Sequence, residues 1–380
     1  MPMLEDLPPV DGRRVLVRTD FNVPLRFPEG PGGDAEVADD FRIRAALPTL
    51  EWLTSRGAAV TVATHLGRPA GPTDRAGDLA PVRARLAELA PGTGMLENLR
   101  FDPGEKANDP AFVDRLANGF DLYVNDAFGV AHRRHASVVG LPARLPSAAG
   151  RLLAREIEAL SGLLVNPARP FLALVGGAKV ADKLGVLRAL LARVDLVAVG
   201  GGMAFTFLAA QGHAVGSSLL DASALGQCRE LLAQAGDRIL LPTDVVVRRE
   251  AADGTDEVWV TGADIPDGAA GLDIGPDSAR EFAAAVGEAK TVFWNGPMGV
   301  FEDPRFSAGT YAVARAIAGG CATSVVGGGD SVAALDELGM AGEVGFVSTG
   351  GGASLELLEH GDLPGLAALR HAVNAPGRED

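Results

Sequence analysis

Four short apolar runs in the first 140 residues each end in groups that could hold an anion. "RTDFNVPL" carries Asp20 and Asn22, and "THLGRP" carries His65 and Arg68. "ENLRFDPGEKAND" carries Arg100, and "YVNDAFGVAHRRHAS" carries Asn125, Asp126, His132 and Arg133. Arg42 opens a further segment, "FRIRAALPTL". Guanidinium forks match the oxygens of phosphates and carboxylates, and Asp20 and Asn22 could receive or orient hydroxyls. A small, strongly anionic substrate fits that mixture. The alternative is that each arginine merely pairs with a nearby acid such as Asp20, Glu97 or Asp126. Recurrence at successive strand ends argues against this for the set, because strand-to-loop junctions are where α/β sheets place their chemistry.

The second half carries a different set. In "GGAKVADKLGVLRALLARVD", Leu184, Leu187, Leu191 and Val194 form a core stripe. Lys179 and Lys183, four apart, are expected on another face near the start of the same helix. A helix N-terminus already attracts anions, and two lysines strengthen that pull. Further glycine loops are "VGGGMAF", "WNGPMGVFE" and "GGGDS". None is a P-loop, and GxGxxG is absent. In "GGGDS" the glycines would let backbone approach phosphates, and Asp330 at a helix start suits Mg²⁺, which uses one or two carboxylates together with substrate phosphates. Glu302 could accept from ribose hydroxyls, apolar residues of its loop could wall an adenine, and Trp294 is expected in the core. Taken together, the chain reads as an anionic substrate on one domain and a Mg–nucleotide on another.

These groups need a frame that brings strand ends together. A chain of 380 residues is too long for one ordinary core. Strands are expected at 14–21, 58–64, 92–98 and 120–127, with helices in "FRIRAALPTLEWLTSRG" and "LAPVRARLAELA" between them. The stretch 28–39 is polar and glycine-rich, a surface loop. Residues 148–164 read as one long helix, with Leu153, Ile157, Leu160 and Leu164 at helical spacing. Strands resume at 171–177, 195–202, 238–247, 291–296, 323–329 and 344–352. The expected fold is α/β: two Rossmann-like three-layer α/β/α domains with mainly parallel sheets, joined by an interdomain helix and hinge. The tail "PGRED" is expected to fray.

Composition narrows the partners. Hydrophobic residues make up 47% and charged residues 22%, an ordinary soluble balance. A formal net charge of −15 argues against a nucleic-acid binder, which needs a basic stripe. No apolar run reaches the roughly 20 residues needed to cross a bilayer, and the start, "MPMLEDLPPV", lacks the pattern of a signal peptide. Cys228 and Cys321 form no CxxC or zinc pattern and are expected to be buried, inert thiols in a reducing cytoplasm.

At this point the sequence resembles the phosphoglycerate kinases over nearly its whole length. The stretches that carry the resemblance are "RTDFNVPL", "RIRAALPTL", "HLGRP", "ENLRF", "YVNDAFGVAHRRHAS", "GGAKVADK", "GGGMAFTFL", "LPTDVVV", "DIGPDS", "WNGPMGVFE", "GGGDS" and "VSTGGGASLELLE". The resemblance implies reversible, direct in-line phosphoryl transfer from 1,3-bisphosphoglycerate to MgADP in glycolysis and gluconeogenesis, with no protein nucleophile. It implies an N-terminal domain, 1–155, binding 3-phosphoglycerate or 1,3-bisphosphoglycerate, with a segment of about 362–380 packed back on it. A Mg-nucleotide domain, 156–361, would follow. Substrate would be held by Asp20, Phe21, Asn22, Arg42, His65, Leu66, Gly67, Arg68, Arg100, His132 and Arg133. The nucleotide would meet Lys179, Lys183, Gly201, Gly202, Leu272, Asn295, Gly299, Glu302, Gly327, Gly328, Gly329, Asp330 and Ser331. Arg42, Lys179 and Lys183 would act on the transferring group, Asp330 would anchor Mg²⁺, and the enzyme would be a cytoplasmic monomer. Closure of the domains, with hinges at the 148–164 helix and at 348–352, would align the substrates and exclude water. Departures are small. Ser331 stands where most relatives have Thr, and Thr64 where many have Ser, each keeping the hydroxyl. Arg134 replaces a usual alanine, and the 28–39 loop is longer than in many relatives.

Other classes account for less. A Rossmann dehydrogenase would want GxGxxG and an acidic residue about 20 positions on. A non-enzymatic phosphoanion binder leaves Lys179, Lys183 and Asp330 idle, and a scaffold leaves both sets unexplained.

Overall fold

Short runs of Val, Leu and Ala with no polar interruption make strands that are buried on both faces, which is the pattern of a parallel sheet covered by helices. The computed structural model of the chain describes residues 1–27, 35–251 and 253–372. Contacts divide it into two units. One is Met1–Glu158 together with the terminal stretch from Asp362, and the other is Ala159–Gly361.

In the first unit the strands are β1 (Arg14–Thr19), β2 (Leu25–Arg26), β3 (Glu36–Val37), β4 (Ala59–Ala63), β5 (Gly94–Met95), β6 (Leu122–Asp126) and β7 (Ser147–Ala149). A five-stranded sheet runs in the order β5-β4-β1-β6-β7, every neighbouring pair parallel. β2, just ahead of the expected polar loop at 28–39, and β3, inside it, form a separate antiparallel ribbon; residues 28–34 of that loop lie outside the described residues. The chain builds outward from β1 through β4 and β5, then returns to the other side of β1 as β6. The strand order therefore reverses between β1 and β6, and a crevice at such a reversal is the usual ligand site of an open α/β sheet. The helix Phe41–Thr54 buries Ile43, Ala46, Leu50 and Leu53, a 3-4-3 spacing that puts one stripe on the sheet. Val15, Val17, Val60, Val62, Val82 and Leu86 join that core.

Strands of the second unit are β8 (Phe171–Val175), β9 (Leu196–Val199), β10 (Ile239–Leu240), β11 (Asp244–Glu250), β12 (Asp256–Gly262), β13 (Ala270–Ile274), β14 (Thr291–Asn295), β15 (Thr323–Gly327) and β16 (Phe346–Val347). Six form a parallel sheet in the order β10-β9-β8-β14-β15-β16, with its reversal between β8 and β14. Trp294 is fully buried in this unit's core beside Leu172, Leu174, Phe282 and Val326, as expected.

The structure corrects several element boundaries. The expected strand at 238–247 is two strands in different sheets: β10 joins the parallel sheet, while β11 lies between β12 and β13 in a three-stranded antiparallel sheet. Pro242, which has no N–H to give a ladder, separates them. The strand expected at 92–98 is only Gly94–Met95. The long helix runs Arg151–Leu164, because Ser147–Ala149 pairs with β6 as a strand. Near the terminus, the helix Pro364–Arg370 buries Leu366 and Leu369, and the Gly365 N–H donates to the Ala131 carbonyl at 2.8 Å. The expected frayed tail, "PGRED", lies outside the described residues.

Candidate active site

Register sets the first cluster. Arg18 pairs with Ala63 on one side and Asn125 on the other, so the residues just beyond these strands emerge at one edge. Asp20 is there, largely buried, and accepts from Arg42 NH1 at 2.9 Å. The same nitrogen lies 3.4 Å from the Asn22 carbonyl. Arg42 sits in the first turn of its helix, where the helix dipole disfavours a cation, and the Asp20 carboxylate offsets that. Asn22 Oδ1 accepts from the Gly67 N–H at 2.8 Å, and the Gly67 carbonyl accepts from Arg100 NH1. The Phe21 N–H donates to Thr64 Oγ1 at 2.9 Å, tying the ends of β1 and β4 together. Buried Asn98 donates to the carbonyls of Leu66 and Gly77, both at 2.9 Å, and its own Oδ1 caps the turn that presents Arg100. From beyond β6, Arg133 Nε lies 3.3 Å from His132 Nε2.

The electrostatics are one-sided. His65 is buried, and burial, then Arg18, Arg100, Arg133 and Arg42, hold its imidazole well below the ordinary range. Arg100 is pushed down to about 10, first by burial and then by Arg133 and Arg18, with Asp20 opposing and Arg68 adding to the fall. His132 falls to about 4 through burial and Arg133. An edge at which guanidinium groups destabilise one another's charge is relieved by an anion, and each gains most from one with several oxygens.

Sequence reasoning missed Arg18. It is the only arginine among the fully buried side chains of the described residues, it donates to Ser137 Oγ at 2.8 Å, and it reaches His65. Its signal was a cation directly after the apolar run Val15–Val17, within the strand and not beyond its end. Asp126, in contrast, faces away from anion chemistry: it is buried, and its Oδ1 accepts the Leu153 N–H at 3.0 Å. Glu97 pairs with Arg83, not with a cluster arginine.

In the second unit, Asn295 pairs with Val175 and Gly327, so the loops after β8, β14 and β15 share an edge. Lys183 Nζ donates to the Gly176 carbonyl at 2.5 Å and to Asn295 Oδ1 at 3.2 Å. Burial pushes this amine down to about 8, and Asp330 pulls it back up, which places the Asp330 carboxylate within electrostatic reach. Asp330 is exposed in the first turn of the helix Gly329–Glu337. Two glycines have backbone reasons. Gly201 has φ +64°, and a Cβ there would lie 2.6 Å from the Gly177 nitrogen. Gly328, at φ +98°, opens the helix that carries Asp330.

The helix after β8 is Leu184–Leu191, so Lys179 and Lys183 do not share a helix face. Residues Ala181–Lys183 form a tighter turn ahead of it, and Lys179 is exposed on the loop before that. The expected core stripe of Leu184, Leu187, Leu191 and Val194 is buried. Gly202 begins the helix Gly202–Gln211. The Leu272 carbonyl accepts the Val300 N–H at 2.8 Å, holding the loop that carries Gly299 and exposed Glu302. Ser331 is buried and its Oγ accepts the Gly296 N–H at 2.7 Å, bracing one loop on another. Gly327 is buried at the end of β15, while Gly329 is open to solvent. Cys228 is buried, but Cys321 is exposed, contrary to expectation, because it lies outside any strand or helix just ahead of β15.

Two parallel-sheet units, one with a desolvated arginine–histidine edge and the other with a lysine–glycine edge ending in a carboxylate, define a phosphotransferase acting on small anions. The sequence pattern of phosphoglycerate kinase matches residues 4–94 and 91–361. The chain is 51% identical over 381 residues to the phosphoglycerate kinase of Rubrobacter xylanophilus, covering 94% of this chain and 95% of that one. It is 52% identical over 402 residues to that of Frankia alni, covering 97% and 100%. Among solved structures, the phosphoglycerate kinase of Coxiella burnetii superposes with a TM-score of 0.81 at 38% identity, over 96% of this chain and 97% of that one. That of Pyrococcus horikoshii gives 0.84 at 30% identity, over 97% and 98%. The chain belongs to the phosphoglycerate kinase family. It is a glycolytic kinase that transfers a phosphoryl group reversibly between 1,3-bisphosphoglycerate and ADP. No helix among the described residues is long and apolar enough to cross a membrane.

Proposed function

We propose that the first unit holds 3-phosphoglycerate or 1,3-bisphosphoglycerate and the second holds the Mg-nucleotide. The observation that carries this is the convergence of Arg18, Arg42, Arg100 and Arg133 on His65 beside a single carboxylate, Asp20. Arg68, Arg100, Arg133 and His132 bind the anionic end of the substrate, and Asp20 and Asn22 orient its hydroxyl, with Phe21, Leu66 and Gly67 as the loop that carries them. Arg42 spends NH1 on Asp20 and keeps further N–H donors for the transferring group. On the nucleotide side, Lys179, Lys183 and Asn295 face the phosphates. The backbone at Gly201, Gly202 and Gly327–Gly329 gives close approach, Leu272 and Gly299 wall the base, Glu302 meets the ribose, and Ser331 braces the loop.

Asp330 would hold Mg²⁺, which when bound neutralises charge across the nucleotide phosphates. The residues fit this ion. Asp330 is a single exposed carboxylate beside Lys183, and the described residues contain no group of three or more His, Cys, Asp or Glu able to cage a metal. One carboxylate plus phosphates is the arrangement Mg²⁺ favours. Transfer needs no protein nucleophile: the chain aligns two anions and stabilises charge on the group that moves. The same reading takes the enzyme as a cytoplasmic monomer, in keeping with its glycolytic family and two free thiols.

Two variants in one kinetic experiment test the assignment. Arg42→Ala is expected to leave MgADP affinity near wild type and lower kcat roughly 10²–10³-fold, the effect of losing one preorganised donor to a transition state. Asp330→Asn is expected to raise the Mg²⁺ requirement with 3-phosphoglycerate binding unchanged. A near-wild-type kcat for the first, or superimposable magnesium titrations for the second, removes that residue from its role.

A further inference from the structure

All three nitrogens of the Arg18 guanidinium are engaged. Nε donates to Ser137 Oγ at 2.8 Å, NH1 donates to the Thr19 carbonyl, and NH2 lies 3.3 Å from His65 Nδ1. Ser137 is fixed in turn. Its Oγ donates to Glu105 Oε1 at 2.6 Å, its N–H donates to Glu105 Oε2 at 3.0 Å, and its carbonyl accepts from the Tyr123 hydroxyl at 2.6 Å. Arg18, Ser137, Glu105 and Tyr123 are all buried. Glu105 thus supplies the countercharge to Arg18 through one hydroxyl, and the fork cannot turn away from the imidazole.

Arginine has donors and no acceptor. The His65 Nδ1 that faces NH2 must therefore carry a lone pair, and a neutral imidazole in that state has its hydrogen on the opposite nitrogen, Nε2. Asp20 Oδ1 is the competitor. It lies 3.6 Å from Nδ1 and has no hydrogen-bond partner among the described residues. A hydrogen on Nδ1 aimed at Asp20 would set two donors against each other at the 3.3 Å contact with Arg18. The charged groups acting on the ring are Arg18 from β1, Asp20 just beyond it, Arg42 from its helix, Arg100 from the turn after β5, and Arg133 from the loop after β6. Four cations against one carboxylate oppose an imidazolium. An imidazole with its lone pair on Nε2 would have an acceptor there, which repels an anion, where the other tautomer has a donor.

We propose that Arg18 is a positioning residue, braced by Ser137 and Glu105, that fixes His65 as a neutral imidazole with its hydrogen on Nε2 and so gives the anion site a constant hydrogen-bond donor. The proposal deepens, and rests on, the reading of this edge as the 3-phosphoglycerate site.

The test is nitrogen NMR of the full-length enzyme labelled with ¹⁵N-histidine, recorded between pH 5.5 and 8. His65 is assigned by the signals lost in His65→Gln. In the free enzyme the expected result is a protonated Nε2 and an unprotonated Nδ1 across the whole range. Arg18→Lys keeps the charge but loses the fork, and Ser137→Ala keeps the arginine but loses its brace. Both are expected to mix the tautomers and to weaken 3-phosphoglycerate binding by about tenfold, the scale of one hydrogen bond to a charged group, with MgADP binding unchanged. If Arg18→Lys fails to fold, Ser137→Ala carries the same readout. A wild-type ring protonated on Nδ1, an imidazolium at pH 6 or above, or variants with unaltered ring signals overturns the proposal. Failure of 3-phosphoglycerate to bind the wild type would instead overturn the assignment of the edge, while the ring signals of the free enzyme still report on Arg18.

Discussion

Burial lowers both Arg100 and Lys183, the two proposed site cations whose surroundings are best defined, but with different consequences. Arg100 remains charged at any physiological pH even at a value of about 10, so its repulsion from Arg133 and Arg18 persists until an anion arrives. Lys183, pushed to about 8, stands close enough to neutrality to lose its proton. Its ordinary value is 10.5, so between about 8 and 10.5 the unfolded chain holds a proton that the folded one has released. Stability therefore rises with pH across that window, and below it the buried ammonium is a constant penalty. On the proposed assignment, nucleotide phosphate beside the amine would reverse the shift by favouring the charged form. MgADP binding is thus expected to take up about half a proton at pH 8, where the free amine is half ionised, and close to none at pH 7. Affinity is expected to fall as pH rises above 8. Titration calorimetry in two buffers of different ionisation enthalpy measures the uptake directly. Equal enthalpies at pH 8 in both buffers, or an uptake that survives in Lys183→Gln, would show that another group is responsible.

At the scale of elements, the start of the helix Arg151–Leu164 depends on one strand-end carboxylate. Asp126 at the end of β6 accepts the Leu153 N–H at 3.0 Å, and a Cβ on Gly150 would fall 2.2 Å from its Oδ1. Burial raises its pKa from 3.8 to about 6, with Thr49 and the Leu153 and Leu152 N–H groups pulling the other way. The folded protein thus holds an extra proton between about 3.8 and 6, and the stability that this proton gives is lost as pH rises through 6. Asp126→Ala, which leaves those N–H groups without an acceptor, is expected to cost about 1–3 kcal/mol in urea unfolding at pH 7. Asp126→Asn, which keeps one oxygen and sheds the buried charge, is expected to cost much less and to flatten the pH dependence. Equal losses in the two variants would mean that the ionised carboxylate itself is needed. The sequence carried such elements only as far as local pattern reaches. Strand ends bearing Asp20, His65, Arg100 and Arg133 were legible because apolar runs stopped abruptly at polar loops. The role of Arg18 was not, because its partner Ser137 lies 119 residues away. The split of 238–247 between two sheets was hidden for the same reason, since pairing partners are non-local. Lys179 and Lys183 looked like one helix face because spacing cannot say where the first turn begins.

For the whole molecule, an acidic chain with a net charge of −15 gathers cations where strands end, and these are the proposed anion sites. Each unit has its own apolar core, its own parallel sheet and its own reversal of strand order, so each candidate site is assembled from residues of a single unit. Ligands should therefore act on the units separately. Local opening of strand-end loops governs how fast their amides exchange with solvent, and a ligand that binds only the closed form slows it. At a free concentration of 100 times Kd, the gain is about 2.7 kcal/mol, or about a hundredfold in exchange for amides whose opening releases the ligand. Hydrogen–deuterium exchange with 3-phosphoglycerate alone is expected to slow residues 20–25, 64–68, 98–101 and 127–133, leaving the second unit unchanged. MgADP alone is expected to slow 176–184, 200–203, 295–302 and 327–332, leaving the first unit unchanged. Arg133→Ala should abolish the first pattern without touching the second, and Lys183→Gln should do the reverse. Protection of the β8 and β15 loops by 3-phosphoglycerate alone would break the assignment, because Lys179 and Lys183 would then have bound the wrong anion.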